Sequence, residues 1–331
     1  MRRVLVFALT AILGAICAAG YNAARFQHHS ARQMPQVLRD DANHIVHQHS
    51  LFPPHLSEHG MGNPNLAHWS FGLSAVVTDD YVRLTSNKQS REGFLWNDVP
   101  VQLESWKAYI GIRVHSAHSL GGDGMAMWLV ERPSTSGGPV VATRSSGFRG
   151  LGVIFDSFDN DHQRDNPSVT VVAKTDGTAG ELTLDPSNDY ADARVGGCTF
   201  DFRNSGKGDV VHALVEYDGP AKVLTVKVET ARTSQTCATV EGIDIPAGYY
   251  FGMTAHTGEV ADNHDVHWFV VTSDVPDGKQ LTSDAVGANA IEGVDARVRA
   301  AEKRGERVPA PEHPVFDHLR EEEEKTRWKA Q

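Results

Sequence analysis

From about Trp69 to Ser273 the chain is a series of short β-type runs separated by turn signals. The runs include Trp69–Val77, Tyr109–His115, Met125–Val130, Gly150–Phe158, Val169–Ala173, Val210–Tyr217, Val223–Val228, Tyr249–Ala255 and Val266–Thr272. They are rich in β-branched and aromatic residues, which suit a pleated, half-buried surface. Several alternate, as in Leu224-Thr225-Val226-Lys227-Val228, which puts the apolar side chains on one face of a strand. Gly, Asp and Asn mark the turns, at Asp176-Gly177, Asp218-Gly219-Pro220 and Gly121-Gly122. No long amphipathic helical pattern interrupts the series. The pattern predicts an all-β domain over residues 67–273, two packed antiparallel sheets forming a sandwich or jelly roll.

The flanks read differently. Arg2 and Arg3 precede an uncharged apolar run from Val4 to Ala19, closed by small residues at Cys17, Ala18, Ala19 and Gly20. This is the three-part build of a secretory signal peptide over residues 1–20. The alternative is an uncleaved signal anchor, although the run is shorter than the ~20 residues a span needs. Residues 21–66 are polar and His-rich, with His28, His29, His44, His47, His49, His55 and His59 at irregular spacing. They read as a polar leader rather than a metal-binding tract. In the charged tail, 274–331, Ile291, Val294, Val298 and Ala301 fit a short helix or coiled coil before Pro309, Pro311 and Pro314. The run Arg320-Glu321-Glu322-Glu323-Glu324-Lys325 fits a solvated charged helix. This tail is the expected place for an oligomer contact or a lumenal partner.

A net charge of −11 argues against a nucleic-acid partner held on a basic surface. If the signal is removed, Cys198 and Cys237 remain, and an oxidising compartment makes a disulfide their default state; two buried thiols are the alternative. No Asn-x-Ser/Thr sequon occurs, because Asn166 is followed by Pro167.

The candidate chemistry lies in Asp156-Ser157-Phe158-Asp159-Asn160-Asp161, directly after the apolar run Gly152-Val153-Ile154-Phe155. Closely spaced carboxylate and amide oxygens at a strand end can surround a hard cation, and calcium takes 6–8 oxygen ligands. No cluster of thiolates or imidazoles accompanies the run, which disfavours zinc and copper. The helical-hand calcium loop is excluded because its Gly and Glu positions are not matched. Gly122-Asp123-Gly124 sets one more carboxylate between glycines before a buried run, where backbone and ligand can approach closely.

Several motifs in order resemble the L-type lectins of animal and fungal secretory pathways, including the mannose-binding cargo receptor of the ER–Golgi intermediate compartment and its vesicular relatives. They are Gly122-Asp123-Gly124-x-Ala126-x-Trp128, Phe155 to Asp161, Asn166-Pro167, Cys198 with Asp201-Phe202-Arg203-Asn204, Gly248-Tyr249-Tyr250-Phe251-Gly252, and Ala261-Asp262-Asn263-His264-Asp265. The resemblance implies a concanavalin-like jelly roll, a bound Ca2+ and high-mannose glycoprotein cargo in the lumen of the ER, the intermediate compartment and the Golgi. It maps calcium ligands onto Asp156, the Phe158 carbonyl, Asn160 and Asp189, with Asp159 and Asp161 open to a second ion. Sugar contacts map onto Ser90, Asp123, Asn160 and the loop Gly258-Glu259-Val260, with a cis peptide at Gly122–Asp123. Asp123 would accept sugar hydroxyls, while Asn160 would give its carbonyl to calcium and its amide hydrogens to the sugar.

The chain also departs from the family. Where the resemblance calls for a sugar-binding and pH-sensitive His, the chain has Pro186, in Asp185-Pro186-Ser187-Asn188-Asp189. His162 and His256 are candidate substitutes, but nothing in the sequence places either at the site. Glu259 stands where the cargo receptor has Gly. Family members usually carry a stalk, a membrane span and a sorting tail, so the chain reads either as a soluble lumenal form or as a truncated sequence; membrane attachment then requires an uncleaved anchor or further residues. Glycosidases on related jelly rolls pair two glutamates on one strand, whereas this run offers Asp156 and Asp159 and no Glu, so a non-enzyme is expected. The second function carried is an interaction module of the same fold with weakened or lost sugar binding.

Overall fold

The computed structural model describes residues 44–56, 66–141, 147–204, 206 and 209–274. The signal segment, the expected helix at 291–301 and the charged run at 320–325 lie outside them. The chain divides at Gln280 and Leu281 into two units, and every described residue belongs to the first.

Fourteen strands make up the fold: β1 Trp69–Leu73, β2 Val76–Val77, β3 Val82–Thr85, β4 Arg91–Asn97, β5 Trp106–His115, β6 Gly124–Val130, β7 Gly150–Asp156, β8 Ser168–Lys174, β9 Arg194–Thr199, β10 Val211–Asp218, β11 Val223–Glu229, β12 Ser234–Glu241, β13 Tyr250–Thr257 and β14 Asn263–Thr272. They form two seven-stranded sheets, ordered β1-β4-β13-β6-β7-β8-β9 and β12-β11-β10-β5-β14-β3-β2. All the paired strands run antiparallel. The jelly-roll expectation holds.

Three apolar layers explain the strand sequences. The main core lies between the sheets and includes Leu95, Ile110, Ile112, Phe155, Phe202, Phe251 and Phe269, all fully buried. Each such side chain contributes roughly 1.5–3 kcal/mol by leaving water. A second cluster, with Trp96, Trp128, Ile154, Phe148, Leu184 and Tyr190, covers the other face of β4, β6 and β7. Strands β6 and β7 are therefore buried at every residue, and they read as continuous apolar runs rather than alternating ones. Strands β10 and β11 have one solvated face, and they alternate. The third cluster sits on the outer face of the second sheet, where Ile45 and Phe52 pack against Trp268 and Val270. Val46 and Leu51 bond to the backbone of β14, so the packed domain takes in residues before 67.

Cys198 and Cys237 form a disulfide that joins β9, at one sheet's edge, to β12, at the edge of the other.

Candidate functional site

Three segments converge at one end of the first sheet. Strand β7 ends at Asp156, so Asp159 belongs to the loop that follows and not to the strand. The neighbouring β6 begins at Gly124, directly after Asp123 and a cis Gly122–Asp123 peptide. Strand β13 ends at Thr257 and leads into the loop Gly258-Glu259-Val260.

Backbone bonds tie these segments together. The Asp123 N–H donates to the His256 carbonyl (3.0 Å), and the Ser157 N–H donates to the Asp123 carbonyl (3.0 Å). The Asp262 N–H donates to the Gly122 carbonyl (3.1 Å), and the Ser90 N–H to the Gly258 carbonyl (3.1 Å). Glycine is required where the chains touch. A Cβ on Gly258 would stand 3.0 and 3.1 Å from the two Asp123 carboxylate oxygens, and one on Gly122 would stand 2.9 Å from Val260 and 3.2 Å from Phe158. The expected sugar-facing residues Ser90, Asp123, Gly258 and Val260 are thus drawn into one place. Glu259 is exposed, and its carbonyl accepts from the Gln89 side chain at 2.6 Å.

The acidic loop meets Asp189. The Asp189 carboxylate accepts from the Asn160 N–H (3.1 Å) and the Asp161 N–H (3.4 Å). Asp156 accepts from the Phe158 N–H at 3.2 Å. The Asn160 amide oxygen lies 3.2 Å from both an Asp189 carboxylate oxygen and the Phe158 carbonyl oxygen. Three acceptors then face one another with no hydrogen among them. Turning the amide over would relieve this by donation; a cation would relieve it as drawn, because oxygens from several residues are what calcium collects. Two more acceptors of this loop, Asp159 Oδ1 and Asn166 Oδ1, are buried without a partner. Carboxylate oxygens of Asp159, Asp161, Asp165 and Asp189 lie within 4.8 Å of one another. The donor set fits a hard cation.

The electrostatics agree. Burial, then the Asp189 charge, pushes the Asp156 carboxyl up to about 8. Burial also raises Asp189 to about 6, although the two N–H groups it accepts pull the other way. Tyr190 is fully enclosed beside them, and its hydroxyl is raised well above its ordinary value by burial and then by the charges of Asp156, Asp123 and Asp189. A positive ion would relieve all three.

Pro186 opens a 3-10 turn, Pro186–Asn188, capped by the Asp185 side chain, which accepts from the Ser187 N–H at 2.9 Å. Proline suits this first position, and the turn delivers Asp189 in a left-handed conformation at its end. Of the two candidate substitutes, His162 is exposed on the acidic loop, whereas His256 Nδ1 lies 2.6 Å from Asp123 Oδ2. That bond, partly offset by burial, raises the His256 pKa.

Sequence reasoning did not single out Asp165, although it closes a segment holding four aspartates from 156 onward. The role of Arg203 was missed as well. Its guanidinium grips Asp262 at 2.7 and 2.8 Å, the Ser116 hydroxyl at 2.8 Å and the Ser119 carbonyl at 2.8 Å. Since Asp262 holds Gly122, this fork anchors the loops on both sides of Asp123. The Asp-Phe-Arg-Asn motif was the available signal.

A two-sheet jelly roll with an oxygen-lined acidic loop beside a glycine-backed carboxylate places the chain among the lectin-like β-sandwiches. The sequence profile of the legume-like lectin family matches residues 42–279, and the chain belongs to that family. It is similar to the vesicular integral-membrane protein VIP36 of Canis lupus familiaris, 33% identical over 234 residues, covering 70% of this chain and 63% of that one. It is also similar to the protein ERGIC-53 of Homo sapiens, 31% identical over 239 residues, covering 71% of this chain and 44% of that one. The chain thus spans under two thirds of the length of these relatives. Among solved structures, the VIP36 exoplasmic/lumenal domain in its Ca2+/Man3GlcNAc-bound form matches with a TM-score of 0.61 at 32% identity, covering 72% of this chain and 91% of that one. Among the described residues, no helix is long and apolar enough to cross a membrane.

Proposed function

We propose that this chain is a calcium-dependent lectin that binds high-mannose N-glycans on cargo glycoproteins in the lumen of the early secretory pathway. The observation that carries the reading is the junction at Asp123. Its carbonyl holds the acidic loop through Ser157, and its carboxylate lies against Gly258. One residue therefore couples a cation-type oxygen cluster to the polar loop that carries Gly258. Calcium on Asp156, the Phe158 carbonyl, Asn160 and Asp189 would fix the loop and turn the Asn160 amide hydrogens outward. Asp123, with Ser90 and the 258–260 loop, would then accept and donate to adjacent hydroxyls of a pyranose, since each hydroxyl can do both. The sugar-bound form of the VIP36 domain supports the ligand class.

A glycan array probed with calcium and with chelator tests this. Binding confined to mannose-type glycans, and only with calcium present, is expected; no signal above background with calcium refutes it. Isothermal titration with a high-mannose oligosaccharide adds a residue-level check. Sub-millimolar affinity is expected, and Asp123→Ala is expected to abolish it without unfolding the domain, because that side chain is partly exposed. Pro186 favours a second reading, a lumenal interaction module whose sugar binding has weakened, because proline offers no side-chain donor. A calcium-loaded protein with no measurable affinity in this titration selects that reading.

A further inference from the structure

The contact between His256 and Asp123 has no counterpart in the sequence-level assignment of the site. His256 sits near the end of β13, opposite Gly124 of β6 and Glu92 of β4. Its backbone carbonyl accepts from the Asp123 N–H at 3.0 Å, while its ring nitrogen meets Asp123 Oδ2 at 2.6 Å. The same two residues are therefore joined twice, once through the backbone and once through side chains. Both Asp123 carboxylate oxygens also face Gly258, 3.0 and 3.1 Å from where a Cβ on it would stand, so the carboxylate is bounded on that side as well. Both side chains reach solvent, His256 at 21% and Asp123 at 31% of full exposure. Among the described residues no hydrogen bond ends on Asp123 Oδ1.

We infer that His256 is a positioning residue of the sugar pocket, holding Asp123 by Oδ2 so that Oδ1 is presented to a sugar hydroxyl. This rests on the sugar-binding reading above and deepens it. An unrestrained aspartate at a loop mouth samples several rotamers, and fixing one before binding removes an ordering cost from association. His256 is suited to the task because its backbone is locked in a central strand between β4 and β6. Its Nδ1 stands at ion-pair distance, 2.6 Å, from the Asp123 carboxylate, and charge-assisted contacts of this kind are short and strong. The raised pKa of His256 accords with that bond. The pocket thereby gains an imidazole from β13, whereas the turn that begins at Pro186 supplies none. Apart from Asp123, the charged group facing the ring is Glu92.

Calcium-loaded full-length protein tests the inference in two arms. In the first, isothermal titration with mannose compares wild type with His256→Ala, His256→Phe and His256→Asn. Ala and Phe should weaken binding by about tenfold, the scale of one charge-assisted hydrogen bond. Asn, whose amide nitrogen can stand where Nδ1 stands, should stay within about threefold of wild type. A space-filling role would instead be rescued by Phe and not by Asn. Calcium affinity should not change, since among the described residues no hydrogen bond joins the ring to the acidic loop. Wild-type affinity in Ala and Phe, or loss in Asn equal to theirs, overturns the inference. In the second arm, NMR of the His256 ring should show a protonated, downfield Nδ1 resonance that disappears in Asp123→Ala. If wild type binds no mannose, the sugar-binding reading fails, and this resonance alone decides whether His256 holds Asp123; its absence overturns the pairing.

Discussion

Asp156 is the residue on which the acidic loop turns. It is the last residue of a strand buried at every position, so its carboxylate is carried into the protein rather than held out in water. Burial and the Asp189 charge make the ionised form unfavourable there, hence the rise to about 8. A divalent ion among Asp156, the Phe158 carbonyl, Asn160 and Asp189 reverses that balance, and binding to the folded state alone stabilises it by about 2.7 kcal/mol at a hundredfold excess over Kd. Saturating calcium should therefore raise the melting temperature of wild type. Asp156→Asn should melt no lower than wild type in chelator, since it removes a strained charge, and should lose most of the calcium shift. Thermal scans of both proteins with and without calcium read this directly; an undiminished calcium shift in Asp156→Asn contradicts the ligand assignment. Asp156 and Asn160 stood out in the sequence because their side-chain oxygens lie within a few residues of one another at a strand end, whereas the Phe158 carbonyl came through resemblance. Asp189 came only through resemblance. His256 could be named but not placed, because its meeting with Asp123 depends on the register of β13 against β6, and no single segment encodes register across a sheet.

At the scale of elements, the legible strands were those with alternation or an unbroken apolar run. Strand β4 was missed because its outer end, Arg91 and Glu92, is polar, while Gly93 to Asn97 is buried. Strand β9 carries Gly196-Gly197, which reads as a turn, and β12 begins Ser-Gln-Thr, the polar build of an edge strand. These last two strands are the ones the disulfide connects. Among the described residues each is the last strand of its sheet, and the covalent link ties the two edges together. With a sequence separation of 39 between Cys198 and Cys237, restricting the unfolded chain is worth about 4 kcal/mol in the chain-entropy model. Replacing both cysteines by serine should lower the unfolding free energy by an amount of that order in urea titrations. Calcium affinity should persist, because the acidic loop is held by Asp123 and Asp189, both of which lie outside β9 and β12. A loss of calcium binding equal to the loss of stability would show that the edge strands and the loop fold as one unit.

For the whole molecule, the sandwich has three apolar layers and a set of histidines enclosed within them. The residues from Ile45 to Phe52 cover the second sheet, which is why the family match begins at residue 42 and not at Trp69. His55 bonds to the His267 carbonyl at 3.0 Å, and His264 meets the Thr85 hydroxyl at 2.7 Å. Burial lowers the pKa of each of these three histidines from 6.5 to about 4. The unfolded chain then binds more protons than the folded one between those values. Stability from this source is complete above pH 6.5, declines as the pH falls from 6.5 toward 4, and changes no further below. Asp156 and Asp189 act in the opposite direction without calcium, since their folded pKa values are raised and protonation relieves them. A bare stability profile mixes the two signs, so the useful quantity is the difference between wild type and His264→Gln at each pH, in which the carboxylates cancel. His264 is fully buried, and its advantage over a neutral side chain should shrink by on the order of 3 kcal/mol across that window. Urea unfolding of both proteins at several pH values in chelator measures it. A difference that stays constant from pH 7 to pH 4 would mean that His264 meets water before the domain unfolds.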